Sequence, residues 1–188
     1  MVARSGLGLA SLALVGTTPV DEAIKQCRCL LDDGLPDRQI ECNVRCVLAQ
    51  LYAMAGDLNQ AREMCLDSRA LLRELGQGVY AASTGIELAR IALLGDDLAF
   101  AEAEVRADHD FLAAKGETYY LSTMAALLAR LVREQGRDDE ALALTRSAEA
   151  ASAADDIESQ ALWRMVRAPI LARAGDVAAA EALAREAI

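Results

Sequence analysis

Apolar residues recur along this chain at three- and four-residue steps, one run after another. Over 37–55 the stripe is Ile40, Val44, Val47, Leu48 and Leu51, and over 118–135 it is Leu121, Met124, Leu128, Leu131 and Val132. Such spacing gives a helix one apolar face and one polar face. The pattern predicts helices at about 3–15, 19–32, 37–55, 58–75, 79–94, 97–114, 118–135, 138–151, 156–174 and 177–188. Capping residues support several of the starts: Thr18 as N-cap ahead of Pro19 and Asp21, Asp57 with Gln60, and Asp155 with Glu158. Pro169 falls inside the predicted 156–174 helix, where its missing N–H is expected to kink the chain.

The breaks between helices are periodic. Gly16, Gly56, Gly95, Gly136 and Gly175 differ by 40, 39, 41 and 39 residues, and an alanine follows each one at Ala23, Ala61, Ala101, Ala141 and Ala180. A period of this length marks an array of like units. The glycine is expected to end one helix with a positive φ, an aspartate to cap the next, and the alanine to let two antiparallel helices approach closely. Second breaks at 33–36, 76–78, 115–116 and 152–155 make each unit a helical hairpin, with approximate units 1–33, 37–76, 78–115, 117–152 and 156–188 in a single repeat domain over 1–188. One hairpin cannot bury its own apolar stripe, so stability has to come from stacking neighbours into a solenoid.

Composition narrows this further. Aromatics at 4% and an abundance of Ala, Leu, Glu and Arg favour helix at nearly every position and leave little for a sheet. A formal net charge of -10 excludes a duplex-binding surface, which needs clustered Lys and Arg. The run over 1–16 has the flavour of a secretory leader, but it is too short to span a bilayer and reads better as the first helix of a truncated unit. Neither a nucleic-acid nor a membrane partner is expected. Five cysteines, an odd number in helical settings, point to reduced thiols and a cytoplasmic protein.

The glycine, the alanine that follows it, and small residues at Ala49, Ala129 and Ala168 together resemble a tetratricopeptide repeat. More narrowly, the stretches 16–27, 120–130 and 160–168 are similar to the C-terminal repeat region of large bacterial regulators that carry a cyclase-like domain and a signalling ATPase domain ahead of it. Neither of those domains is present in the chain, and no Gly-x-x-x-x-Gly-Lys-[Ser/Thr] loop occurs. The resemblance implies an all-α, right-handed superhelix of about four and a half antiparallel hairpins. It also implies a non-enzymatic interaction scaffold in a signalling or transcription-regulating system. The units of 39 to 41 residues exceed the common length of the repeat.

No catalytic constellation stands out, and no cofactor or metal is expected. Cys27 and Cys29 would point roughly 200° apart on a helix. With Cys42 and Cys46 they lack the histidine or Cys-x-x-Cys knuckle that completes four ligands, so buried structural thiols are the plainer reading. His109, between Asp108 and Asp110, reads as a surface histidine without a catalytic partner. The pairs Asp96-Asp97, Asp138-Asp139 and Asp155-Asp156 open helices and read as caps. Tyr119, Tyr120 and Trp163 read as packing at the junctions between units.

What remains is the face formed by the first helix of each hairpin, which in tetratricopeptide arrays lines the concave side. By the resemblance, Asn43, Gln50, Thr123, Arg130, Arg133 and Arg173 would face it, and Arg164 and Arg167 repeat the three-residue spacing of Arg130 and Arg133. Guanidinium groups so spaced suit carboxylates. The expected partner is a protein or peptide, together with a homodimer formed through the terminal helices. The alternative is a sensor that binds a small anionic effector inside the superhelix.

Overall fold

A computed structural model describes residues 2–35, 37–95 and 97–187, with side chains from residue 8 onward. All the regular structure among these residues is helical, and the chain divides into two compact units, Met1–Asp96 and Asp97–Ile188.

The first unit holds α1 (Val2–Val15), α2 (Val20–Asp32), α3 (Arg38–Met54), α4 (Leu58–Glu74), α5 (Gly78–Ser83) and α6 (Gly85–Gly95). Helix α3 is its centre and packs against α1, α2, α4 and α6. Val44, Leu48 and Leu51 of its apolar stripe meet Ala10 of α1, Cys27 of α2, Cys65 of α4 and Ile91 of α6 in one buried cluster. Each fully buried Leu or Val contributes roughly 1.5–3 kcal/mol.

The second unit holds α7 (Leu98–Lys115), α8 (Tyr119–Glu134), α9 (Asp138–Ala151), α10 (Ile157–Arg173) and α11 (Val177–Glu186). Its α8 packs on α7, α9 and α10, and α10 packs in turn on α9 and α11. Met124, Leu128, Leu131 and Val132 of α8 are fully buried, as the period requires.

The five repeat alanines, Ala23, Ala61, Ala101, Ala141 and Ala180, are all buried, as are Ala49, Ala129 and Ala168. The expected cap geometry is clearest where Gly is followed by Asp. Gly56 (φ 93°) and Gly175 (φ 92°) turn left-handed, and the next N–H returns to the helix just ended, Asp57 to Tyr52 O at 2.9 Å and Asp176 to Leu171 O at 3.0 Å. Each aspartate then accepts from the helix that follows, Asp57 from Gln60 N and Asp176 from Ala179 N. Two residues thus close one helix and open the next.

Several expectations are corrected. Gly95 is not among the left-handed glycines; it is the last residue of α6, where an added Cβ would lie 3.0 Å from Leu58 Cδ1, so close approach explains it. Gly16 likewise lacks a positive φ. Helix α2 is preceded by Pro19, with no side-chain cap from Thr18. At α10 the capping carboxylate is that of Asp156, which accepts from Ser159 N at 3.1 Å, and not that of Asp155. Pro169 lies inside α10, as the sequence predicts; the carbonyl that loses its donor belongs to Met165, on an exposed side of the helix.

The predicted 79–94 helix is two helices broken at Thr84. Ser83 Oγ donates to Tyr80 O at 2.9 Å and Thr84 Oγ1 donates to Ala81 O at 2.7 Å. Hydroxyls bonded back onto preceding carbonyls compete with the helical ladder. Thr84 Oγ1 also accepts from Nε of Arg69, a side chain only 2% exposed, at 2.9 Å. The break therefore anchors a buried guanidinium.

Candidate functional site

The eight residues expected on the first helices fall into three groups. In the first unit, Gln50 is buried and its Oε1 accepts from Arg90 Nη1 at 3.5 Å, while Asn43 is half-buried on the same helix. In the second unit Thr123 is buried in a chain of hydroxyls between α8 and α10. Thr123 Oγ1 lies 2.7 Å from Ser159 Oγ, Ser159 Oγ lies 3.0 Å from Ser122 Oγ, and Ser122 Oγ donates to Asp156 Oδ2 at 3.1 Å. These three hydroxyls are satisfied by one another and by the cap of α10. The ring of His109 is half-buried rather than exposed, with Nδ1 3.0 Å from Asp110 Oδ1 and Nε2 in a buried place without a hydrogen-bond partner among the described residues. Among the described residues the serine hydroxyl chain and the imidazole have separate partners.

Three arginines are held by their own unit. Arg164 and Arg167 both lie over the Trp163 ring, at 4.2 and 4.3 Å from its centroid, and the indole is 2% exposed. Arg167 also donates to Thr145 Oγ1 at 3.0 Å and Glu149 Oε2 at 2.8 Å, while Arg164 reaches Glu186 Oε2 at 3.2 Å. Arg173 grips both carboxylate oxygens of Asp138, at 2.8 and 2.7 Å.

Arg130 and Arg133 differ. Arg130 is exposed and has no side-chain partner among the described residues, and Arg133 contacts the neighbouring Glu134 at 2.6 Å. With Leu162, Met165 and Val166 of α10 they frame a small pocket of about 120 Å³. Met165 is 58% exposed there. Two guanidinium groups over a small apolar depression can hold a carboxylate beside an aliphatic or aromatic group.

Two features escaped the sequence reading. One is an ion network in which Arg137, Arg106 and Gln135 all donate to Glu102, joining α7 to the α8–α9 turn. Burial works to raise the Glu102 pKa, but the hydrogen bonds from Arg137, Arg106 and Gln135 outweigh it and hold the carboxyl down at about 2. The other is a larger cleft, about 510 Å³, between the starts of α8 and α10, lined by Tyr119, Ser122, Asp155, Asp156 and Ile157 among others. Tyr119, expected as packing, is 74% exposed. Neither feature has a sequence signature, because each depends on which helix ends are neighbours.

Cys27, Cys42, Cys46 and Cys65 are buried and Cys29 is exposed. The Cys46 thiol shares a hydrogen bond with Cys65, which together with burial pushes it well up, and burial also raises Cys27 and Cys42. No described helix is long and apolar enough to cross a membrane.

Comparison with solved structures establishes the fold. The chain is similar to the crystal structure of BtubC (BKLC) from P. vanneervenii, with a TM-score of 0.68 at 19% identity over 89% of this chain and 71% of that one. It is also similar to a putative kinesin light chain from Podosopora anserina with nearly identical TPR-like repeats, with a TM-score of 0.66 at 18% identity over 98% of this chain and 92% of that one. A second crystal structure of that protein, carrying one substitution, gives a TM-score of 0.67. These likenesses identify a tetratricopeptide-like helical repeat solenoid. No protein-family model and no curated protein matches the sequence.

Proposed function

We propose that this tetratricopeptide-like chain is a non-enzymatic protein-interaction scaffold, and that part of its recognition surface lies on α8 and α10 around Arg130 and Arg133. The observation that carries this reading is Arg130: in a chain with net charge -10 it stays exposed without a side-chain partner among the described residues, beside Arg133 and the exposed Met165. The chemistry fits a partner segment that brings a carboxylate to the guanidinium groups and an apolar side chain to the depression. Affinity would come from several modest contacts on a pre-formed surface.

The test uses an acidic probe, acetyl-Leu-Glu-Glu-Leu-amide, titrated into the isotope-labelled full chain and followed by NMR. Saturable shifts centred on Arg130, Arg133 and Met165, abolished in Arg130→Glu/Arg133→Glu with the far-UV spectrum unchanged, are the expected result. Absence of shifts in the native chain, or their persistence in the double variant, overturns the assignment.

Within this reading the chain is the repeat region of a bacterial signalling ATPase or transcriptional regulator, or a stand-alone relative of one, working in the cytoplasm. The similarity of stretches 16–27, 120–130 and 160–168 to such regions supports that placement. The chain also pairs with a second copy through its terminal helices. In support, Leu9, Leu12 and Val15 on α1 are all exposed, a run of apolar side chains on one terminal helix.

A further inference from the structure

The cleft between the starts of α8 and α10 has the composition of a receptor for a positively charged side chain. We infer that it takes a lysine or arginine of a protein partner, a second recognition point that rests on the scaffold reading above but is independent of Arg130 and Arg133. Its walls are Tyr119 and Ile157, the first residues of α8 and α10, which are 74% and 82% exposed. Two large, mostly exposed hydrophobic side chains lining a 510 Å³ cleft favour an occupant with an aliphatic stem. The backbone at the start of α8 is fixed by Glu117, and the Tyr119 ring has an aromatic neighbour. The ring meets Tyr120 edge to face at 5.0 Å, and the Glu117 carboxylate takes the N–H groups of Tyr119 and Tyr120 at 2.9 Å each.

The charge of the cleft selects the head group. Asp155 and Asp156 both line it, and no arginine or lysine among the described residues does. Asp156 is engaged by Ser159 N–H and the Ser122 hydroxyl and has no cationic side-chain partner among the described residues, and the Asp155 carboxylate is paired with no described residue. An anion is excluded by these two carboxylates, and the N-terminus of α10 does not invite one because its cap is already a carboxylate. A metal ion lacks ligands, since no group of three candidate ligating side chains occurs among the described residues. A purely apolar occupant would strip water from two carboxylates and give nothing in return. An alkylammonium or guanidinium group suits every wall: its stem would lie along Ile157, its charge would face Asp155 and Asp156, and the exposed Tyr119 ring is within the cleft lining for a cation–π contact.

The test follows amide shifts in the labelled full chain while N-acetyl-lysine amide, N-acetyl-arginine amide and the neutral N-acetyl-norleucine amide are titrated in turn at low salt. Saturable shifts at Ser122, Asp156 and Ile157 with the two cationic probes, at least about fivefold tighter than with norleucine, are expected. Asp155→Asn/Asp156→Asn retains an N-cap side chain while removing both charges, and it should erase that preference. Tyr119→Ala should weaken both cationic probes with the far-UV spectrum unchanged. Equal binding of the neutral probe, or cation binding that survives the Asn pair, overturns the inference. So does the absence of shifts in the native chain. Adding the acidic tetrapeptide to the same sample separates this failure from failure of the Arg130 surface, whose signals lie at Arg130, Arg133 and Met165.

Discussion

Replacing Thr84 by valine removes one oxygen and keeps the shape of the side chain. That oxygen is the acceptor for Arg69 Nε at 2.9 Å and the donor to Ala81 O at 2.7 Å, between side chains that are almost completely buried. Losing a hydrogen bond to a buried charged group costs about 1.5–3 kcal/mol, and the bond back to Ala81 adds little because it competes with the helix ladder. Thr84→Val should therefore destabilise the first unit by about 2 kcal/mol, while Thr84→Ser, which keeps the hydroxyl, should cost about 1 kcal/mol or less. Urea denaturation followed by far-UV circular dichroism measures both. The decisive comparison is a cycle with Arg69→Met. If the hydroxyl acts through the guanidinium, the valine substitution in that background should cost far less, giving a coupling of about 1.5 kcal/mol. A coupling near zero, or a valine variant as stable as the native chain, would refute the account of the α5–α6 break as an anchor for Arg69.

Other outcomes follow from the electrostatics and the exposed edge. Glu102 has a folded pKa of about 2, below its unfolded value, so its contribution is present in full above the unfolded carboxylate range and disappears as pH falls toward 2. Glu102→Gln should lower stability at pH 7 by about 1 kcal/mol, since the arginine partners are partly exposed, and should flatten the loss of stability between pH 4.5 and 2; an unchanged acid limb contradicts the network's role. Light scattering across a concentration series should show a dimer that Leu12→Asp dissociates. A monomer at every concentration rules out pairing through α1.

The helices and their spacing were legible because two signals coincide in this sequence: an apolar stripe of helical period, and a glycine with an aspartate at nearly constant intervals. The repeat alanines were legible for the same reason, since a position that must stay small for two helices to touch shows as small in every unit. The split at Thr84 was not, because its cause is Arg69, 15 residues earlier, and only the packing of α4 beside α5 reveals the partner. The candidate surface was legible in residue type but not in partnership. Arg130 and Arg173 look alike in sequence, yet Asp138, 35 residues from Arg173, pairs with Arg173, whereas Arg130 has no side-chain partner among the described residues. Arg164 and Arg167 repeat the spacing of Arg130 and Arg133, but Trp163 draws both onto its ring, a contact that spacing alone does not distinguish from a ladder.

Trp163 is the single tryptophan of the chain, and two arginines cover it within the second unit. Intrinsic fluorescence excited at the red edge of the indole band therefore reads the second unit only, and its emission should shift when the guanidinium groups leave the ring. The first unit is dark in that experiment. Unfolding curves recorded by emission and by a backbone signal coincide only if both units melt together, so a gap between them would be a direct measure of how far the two halves fold independently.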